Sequence, residues 1–192
     1  MRNQLDVDWT KIPTPSDDGA AGHLTGMALP AIGLRASDGS LIDLSSLTGV
    51  TVLYVYPRTG RPDQPLLDGW DMIPGARGCT PQSCAFRDHF SELQQAGAQH
   101  LFGLSSQDTD YQREAAERLH LPFVLLSDAQ FLLADSLQLP KFEASGLRLL
   151  KRLTMIACDG VVVKVFYPVF PPDRDAEHVL AWLRAQRDGG SR

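Results

Sequence analysis

Gly75-Ala76-Arg77-Gly78-Cys79-Thr80-Pro81-Gln82-Ser83-Cys84-Ala85-Phe86-Arg87-Asp88 begins as a glycine-rich loop and continues as an amphipathic helix. Phe86, Phe90 and Leu93 recur at i, i+4 and i+7, while Arg87, Asp88, Glu92, Gln94 and Gln95 fall on other faces. Pro81 suits the first helical turn, where its missing N–H costs nothing, and Gly97 suits the stop. Cys79 therefore sits at or just before a helix N-terminus, where unpaired backbone N–H groups and the macrodipole favour an anion. A cysteine is nucleophilic only as the thiolate, and Arg77 brings a further positive charge. A buried cysteine is often only a small hydrophobe. The loop-to-helix junction, with Cys84 five residues on, favours a reactive thiol instead. Cys-x4-Cys is a poor zinc spacing, and neither a fourth ligand nor a nearby histidine accompanies it, so no metal is expected.

Outward from this stretch, 192 residues suit one domain with a sizeable core. A net charge of −5 gives no basic footprint, which argues against nucleic acid and anionic membranes as partners. No apolar run approaches the roughly 18 residues of a spanning helix. Met1 to Asp8 lacks the apolar core of a signal peptide. Three cysteines, two of them close together on one helix, are no secretory disulfide framework, so a reducing cytoplasm is the expected setting. No cofactor motif appears, and the five histidines form neither a triad nor a metal pattern.

Residues 1–26 are polar and carry Pro13, Pro15 and Gly19-Ala20-Ala21-Gly22; they read as an arm lying on the domain or partly mobile, with Trp9 as its anchor. Residues 27–192 form the domain. Ala31 to Arg35 and Leu41 to Leu44 flank Asp38-Gly39, a short hairpin signal. Val50-Thr51-Val52-Leu53-Tyr54-Val55-Tyr56 is an unbroken β-branched and aromatic run, as in a strand buried on both faces. Residues 58–78 then hold Pro62, Pro65, Pro74 and four glycines, a loop whose length is uncommon unless it has a function. Arg58, Arg61, Arg77 and Trp70 make it cationic and adhesive.

After the cysteine helix, Ala98 to Leu104 reads as a parallel strand, and Tyr111, Ala115 and Leu119 mark a helix face ending before Pro122. Phe123 to Leu126 is a short strand, and Phe131 to Leu139 a short helix. Leu149 to Cys158 and Val161 to Tyr167 flank Asp159-Gly160 as one long hairpin. A last helix runs from about Asp173 to Ala185 with Ala176, Leu180 and Leu183 inward. The pattern is α/β: a mixed central sheet with helices on both faces.

Val55-Tyr56-Pro57, followed by Gly78-Cys79-Thr80-x-x-x-Cys84-x-Phe86-Arg87-Asp88, resembles the peroxiredoxins of the Q (bacterioferritin-comigratory) type. The resemblance extends to Leu125-Leu126-Ser127-Asp128 and to Lys151-Arg152-Leu153-Thr154 ahead of Asp159-Gly160, over roughly residues 27 to 187. It implies a thioredoxin-like fold and a thiol-dependent peroxidase acting on hydrogen peroxide or organic hydroperoxides. In that family the first cysteine, here Cys79, attacks the peroxide, and the second, here Cys84, resolves the sulfenic acid. Arg152 matches the arginine placed beside the peroxidatic sulfur. The Gly78-Cys79-Thr80 turn would supply backbone donors to the substrate. The implied partners are a hydroperoxide and a thioredoxin-like or other thiol reductant, with the chain a monomer or homodimer.

Two features depart from the family pattern. The segment before the cysteine is much longer than usual, and Ala76 stands where the family has the Thr or Ser whose hydroxyl orients the peroxide. Thr59 is the candidate to replace that hydroxyl. Cys158 has no family role and reads as a packing or semi-exposed thiol. Two other classes stay open: a thiol-disulfide oxidoreductase, which would ordinarily use Cys-x-x-Cys, and a non-catalytic thioredoxin-like binding or redox-sensing protein, which Ala76 and the cationic loop favour.

Overall fold

A computed structural model describes residues 7–189. Along the chain it contains β1 (Gly33–Ala36), β2 (Leu41–Asp43), β3 (Val50–Val55), α1 (Cys79–Asp88), α2 (Phe90–Gln95), β4 (Ala98–Ser105), α3 (Thr109–Arg118), β5 (Leu125–Ser127) and α4 (Leu132–Ser136). β6 (Lys141–Ala144), β7 (Leu147–Leu150), β8 (Leu153–Cys158), β9 (Val161–Phe166) and α5 (Asp175–Gly189) follow. Seven strands form one mixed sheet in the order β2-β1-β5-β4-β3-β8-β9. β3, β4 and β5 run parallel, while β8 pairs antiparallel with β3 and β9. This is a thioredoxin-like α/β architecture, with the expected hairpin of β1 and β2 at one edge.

The unbroken apolar run of β3 follows from its central position. Leu53 and Val55 enter a core with Leu34, Leu104, Leu126, Leu133, Leu153 and Met155. Val52 and Tyr54 enter the opposite one with Phe86, Leu93, Ala115, Leu125, Ile156, Val179 and Leu183. The sheet is thus covered on both faces, as period-2 alternation on a doubly buried strand requires. α1, α3 and α5 pack on the second face, and Tyr54 stacks on Phe86 with ring centroids 4.5 Å apart. That contact, and a 3.0 Å hydrogen bond from the Tyr54 hydroxyl to Ser83 Oγ, pins α1 across the sheet.

Several expectations need correction. The cysteine helix is not amphipathic in its first half: Cys79 to Cys84 are all buried, because residues 172–174 and α5 pack against the helix as well. It also breaks at His89 into α1 and α2. The run Leu149 to Cys158 is two strands, not one, since Lys151 and Arg152 lie between sheets. β7 pairs instead with β6 in a separate two-stranded sheet. Of the arm expected over 1–26, residues 1–6 lie outside the described part. Residues 7–26 lie on the domain, with Ala21 and Leu24 buried in the first core and Gly26 N donating to Val162 O at 2.7 Å. Residues 190–192 are likewise outside the described part. Among the described residues no helix is long and apolar enough to cross a membrane.

Candidate active site

The site lies at the C-terminal end of β3, the edge at which parallel α/β sheets bind ligands. There the chain leaves the sheet at Tyr56-Pro57, and residue 58 meets the start of α1. Gly78 caps that helix with φ 105°. A Cβ there would stand 2.5 Å from Pro172 Cγ and 2.6 Å from Trp9 Cη2, so the position demands glycine for both its backbone and its neighbours. Cys79 is the first helical residue and is 2% exposed.

Three groups converge on its sulfur. The Arg58 backbone N–H points at Cys79 Sγ from 3.4 Å, and Arg152 Nη2 stands 3.2 Å away. The thiol itself is directed at Ala76 O, 3.6 Å distant. Arg152 is buried, and the same Nη2 reaches the carbonyls of Gly75, Ala76 and Arg77 at 3.3, 3.1 and 3.1 Å. The arginine therefore holds the loop and the sulfur together. A thiolate would face two fixed donors, one of them fully charged, in surroundings that exclude water.

A second layer fixes the arginine. Arg152 Nη1 donates to Gln82 Oε1. Gln82 Nε2 donates to Asp175 Oδ2 at 2.6 Å, and Thr154 Oγ1 donates to the same oxygen at 2.7 Å. All of these side chains are buried. Burial pushes the Asp175 carboxyl above the usual range, opposed by the Thr154 and Gln82 hydrogen bonds and by Arg152. Asp175 Oδ1 and Arg152 Nε find no hydrogen-bond partner, so this buried chain is polar beyond its own satisfaction.

Cys84 lies on the same helix, 7% exposed, and burial pushes its thiol up. All three cysteines are free thiols. Cys158 lies at the far end of β8, partly exposed, with its thiol raised by burial and by Asp159. Thr80 and Gly78 line a hollow of about 20 Å³ over Cys79, together with Pro81, Arg58, Gly60, Leu66, Trp70 and Arg77. Thr59 does not line it. Its N–H and hydroxyl both donate to Gln107 Oε1, at 2.9 and 3.1 Å, which turns it away from the sulfur. The structure thus brings Cys79, Arg152, Gly78 and Thr80 together and leaves Thr59 outside.

Sequence reasoning missed Gln82, Asp175 and Leu66, and named Trp70 only as part of the adhesive loop. Gln82 carried a signal, being one helical turn after Cys79 and on its face. Ala76 is 0% exposed and packs with Trp70, Ala144 and Leu149. A methyl rather than a hydroxyl belongs in that apolar cluster.

The Redoxin family profile matches residues 24–180. Peroxiredoxin Q, chloroplastic, of Populus jackii is 29% identical over 161 residues, which cover 83% of this chain and 68% of the relative. The chain spans about two thirds of the length of the curated relatives it matches. Peroxidoxin BcpB of Mycobacterium tuberculosis superposes with a TM-score of 0.67 at 29% identity, covering 84% of this chain and 96% of its own. Peroxiredoxin Q of Xanthomonas campestris gives a TM-score of 0.65 at 25% identity, with 83% and 96% covered.

Proposed function

The chain belongs to the Redoxin family and is a peroxiredoxin of the Q type, a thiol-dependent peroxidase, and from that premise we propose that Cys79 is its peroxidatic and Cys84 its resolving cysteine. The observation that carries the reading is Arg152 Nη2 at 3.2 Å from a buried sulfur at a helix N-terminus. Neither Cys84, inside α1, nor Cys158, at the end of β8, lies at a helix N-terminus; burial raises both thiols, with Arg87 opposing it at Cys84.

In the first step the Cys79 thiolate attacks one peroxide oxygen in line with the O–O bond. That bond breaks, the second oxygen departs with the electron pair and takes up a proton, and Cys79 becomes a sulfenic acid. Negative charge moves from sulfur to the leaving oxygen, so donors fixed along that line lower the barrier. Arg152 and the Arg58 N–H stabilise the thiolate before attack. The N–H groups at the Gly78-Cys79-Thr80 turn, with Thr80 and Gly78 in the lining, face the incoming oxygens.

In the second step Cys84 displaces hydroxide from the sulfenic sulfur, giving a Cys79–Cys84 disulfide and water. Residues five apart in an α-helix have Cα atoms roughly 8 to 9 Å apart and point about 140° away from one another. A disulfide needs Cα atoms within about 7 Å and converging Cβ vectors. α1 spans both cysteines, so its first turns must unwind before the bond closes. A dithiol of the thioredoxin kind, or two monothiols, then returns both cysteines to the reduced state. A reducing compartment such as the cytoplasm, and a monomer or homodimer, complete the reading.

Peroxide consumption by single-cysteine variants tests it. Cys79→Ser loses turnover and Cys158→Ser retains it. Cys84→Ser is oxidised once and then stalls or proceeds to sulfinic acid. Wild-type turnover by Cys79→Ser would end the proposal.

A further inference from the structure

The long segment between β3 and α1 is tied down at both ends and in the middle. Arg118 Nη2 donates to Gly60 O at 3.0 Å, and the guanidinium carbons of Arg58 and Arg61 lie 5.2 and 5.4 Å from the centre of the Tyr111 ring. Near its other end Arg77 pairs with Asp71 at 3.1 Å. Between them Trp70 is 4% exposed, tilted against Phe142 with ring centroids 6.3 Å apart, and buried among Ala76, Ala144 and Leu149. Trp70 is therefore anchored on the small β6–β7 sheet, and with Leu66 it lines the hollow over Cys79.

That hollow is small. About 20 Å³ is little more than the roughly 10–15 Å³ that one water needs. In-line attack places the leaving oxygen, and any organic group attached to it, on the side of the peroxide away from sulfur. Leu66 and Trp70 are the largest apolar side chains that line the hollow with Cys79, so they are the groups an organic substituent would have to share it with. The larger cavity nearby, about 290 Å³, is bounded by Gly75 and Arg152 and does not reach Cys79.

We propose that Leu66 and Trp70 set the substrate class of this site, admitting hydrogen peroxide and excluding hydroperoxides with bulky organic groups. This rests on Cys79 being the peroxidatic cysteine. Ala76 belongs to the same device. Its methyl lies in the same apolar cluster as Trp70, where a hydroxyl would be buried among apolar groups. Leu66, which lines the same hollow, is 40% exposed.

The test is stopped-flow oxidation of the reduced full-length protein, following Cys79 in a Cys84→Ser background, with hydrogen peroxide, tert-butyl hydroperoxide and cumene hydroperoxide. A misfit of a single methylene in an apolar pocket is worth about 10- to 200-fold. The expected order is hydrogen peroxide first and cumene hydroperoxide last, with the outer pair separated by about 100-fold. Leu66→Ala and Trp70→Ala should each narrow that ratio by about tenfold or more. Leu66→Ala is the safer variant, because its side chain is partly exposed and its loss leaves the Trp70 cluster intact. Equal rates for cumene hydroperoxide and hydrogen peroxide in the parent protein would overturn the proposal, as would an unchanged ratio in Leu66→Ala. A Cys79 inert to all three peroxides would instead remove the peroxidase reading, and the proposal with it.

Discussion

Gln82 Nε2 lies 2.6 Å from Asp175 Oδ2, and this contact decides which end of the Gln82 amide faces Arg152. A carboxylate oxygen accepts hydrogen bonds and a guanidinium only donates them. With the amide NH₂ on Asp175, its carbonyl oxygen is left for Arg152 Nη1. Asp175 thus acts on the sulfur through two intermediaries and touches no reacting atom.

Replacing Asp175 with leucine should therefore slow Cys79 oxidation by hydrogen peroxide by roughly 10-fold or more, the equivalent of about one charge-assisted hydrogen bond. Asp175→Asn keeps an acceptor oxygen for Gln82 and should recover most of the rate. A purely structural role would lower stability in both variants without this rescue. Because the effect passes through Gln82, adding Gln82→Leu to Asp175→Leu should cost little more than either change alone. Additive losses, measured by stopped flow, would contradict the relay.

The second prediction concerns Cys84 and pH. Burial pushes its thiol up, so the folded state binds this proton more tightly than the unfolded chain does. Its contribution to stability is present below the ordinary cysteine value and is lost as pH rises through the raised one. The same shift keeps Cys84 protonated, and hence a poor nucleophile, while α1 is folded. In a Cys79→Ser, Cys158→Ser background, iodoacetamide at pH 8 should label Cys84 at least about tenfold more slowly in buffer than in urea. Raising the pH should narrow the gap. Equal labelling in buffer and urea at pH 8 would show that the helix opens freely without oxidation.

Much of this architecture could be read in the chain itself, for reasons that particular residues make clear. Val50 to Tyr56 announces a doubly buried strand because both of its faces meet apolar cores. Asp159 and Gly160 both adopt positive φ, the conformation that an Asp-Gly pair tolerates best, so the β8–β9 hairpin was visible. Leu149 to Cys158 misleads because its apolar residues fall on either side of Lys151-Arg152. The break there is what frees Arg152 to leave the sheet for the sulfur. The β6–β7 hairpin turns at Ser145 and Gly146, also at positive φ, a two-residue signal in a stretch to which the sequence reading assigned no element. Asp175 reads as an ordinary helix-start acid. Its inward aim comes from packing against α1, which no local pattern encodes. The composition of residues 58–78 says loop; only the contact of Trp70 with Ala76 and Phe142 says what that loop covers.

The last prediction concerns Trp9 and the melting of α1. Trp9 Nε1 donates to Asp173 Oδ2 at 2.7 Å, and its ring meets Phe170 edge-on with centroids 5.9 Å apart. The ring also lies against Gly78, at the spot where a Cβ would clash with it. The described part of the arm therefore presses on the N-cap of the helix that must unwind for Cys84 to reach Cys79. Trp9→Ala removes this anchored ring, whose edge-on pair with Phe170 is worth about 0.5–1.5 kcal/mol, from the Gly78 cap, so the open population of α1 should rise by at most roughly 10-fold. Two consequences follow. Amide exchange across Thr80 to Phe86 in the reduced protein should speed up by a similar factor, while β3 stays protected. Over-oxidation of Cys79 to sulfinic acid should also fall, because the sulfenic acid waits less time for Cys84 before a second peroxide arrives. Mass spectrometry after a graded peroxide series reads the second effect directly. Unchanged exchange in Thr80 to Phe86, with over-oxidation equal to that of the parent, would mean that Trp9 rests on the helix cap without holding it.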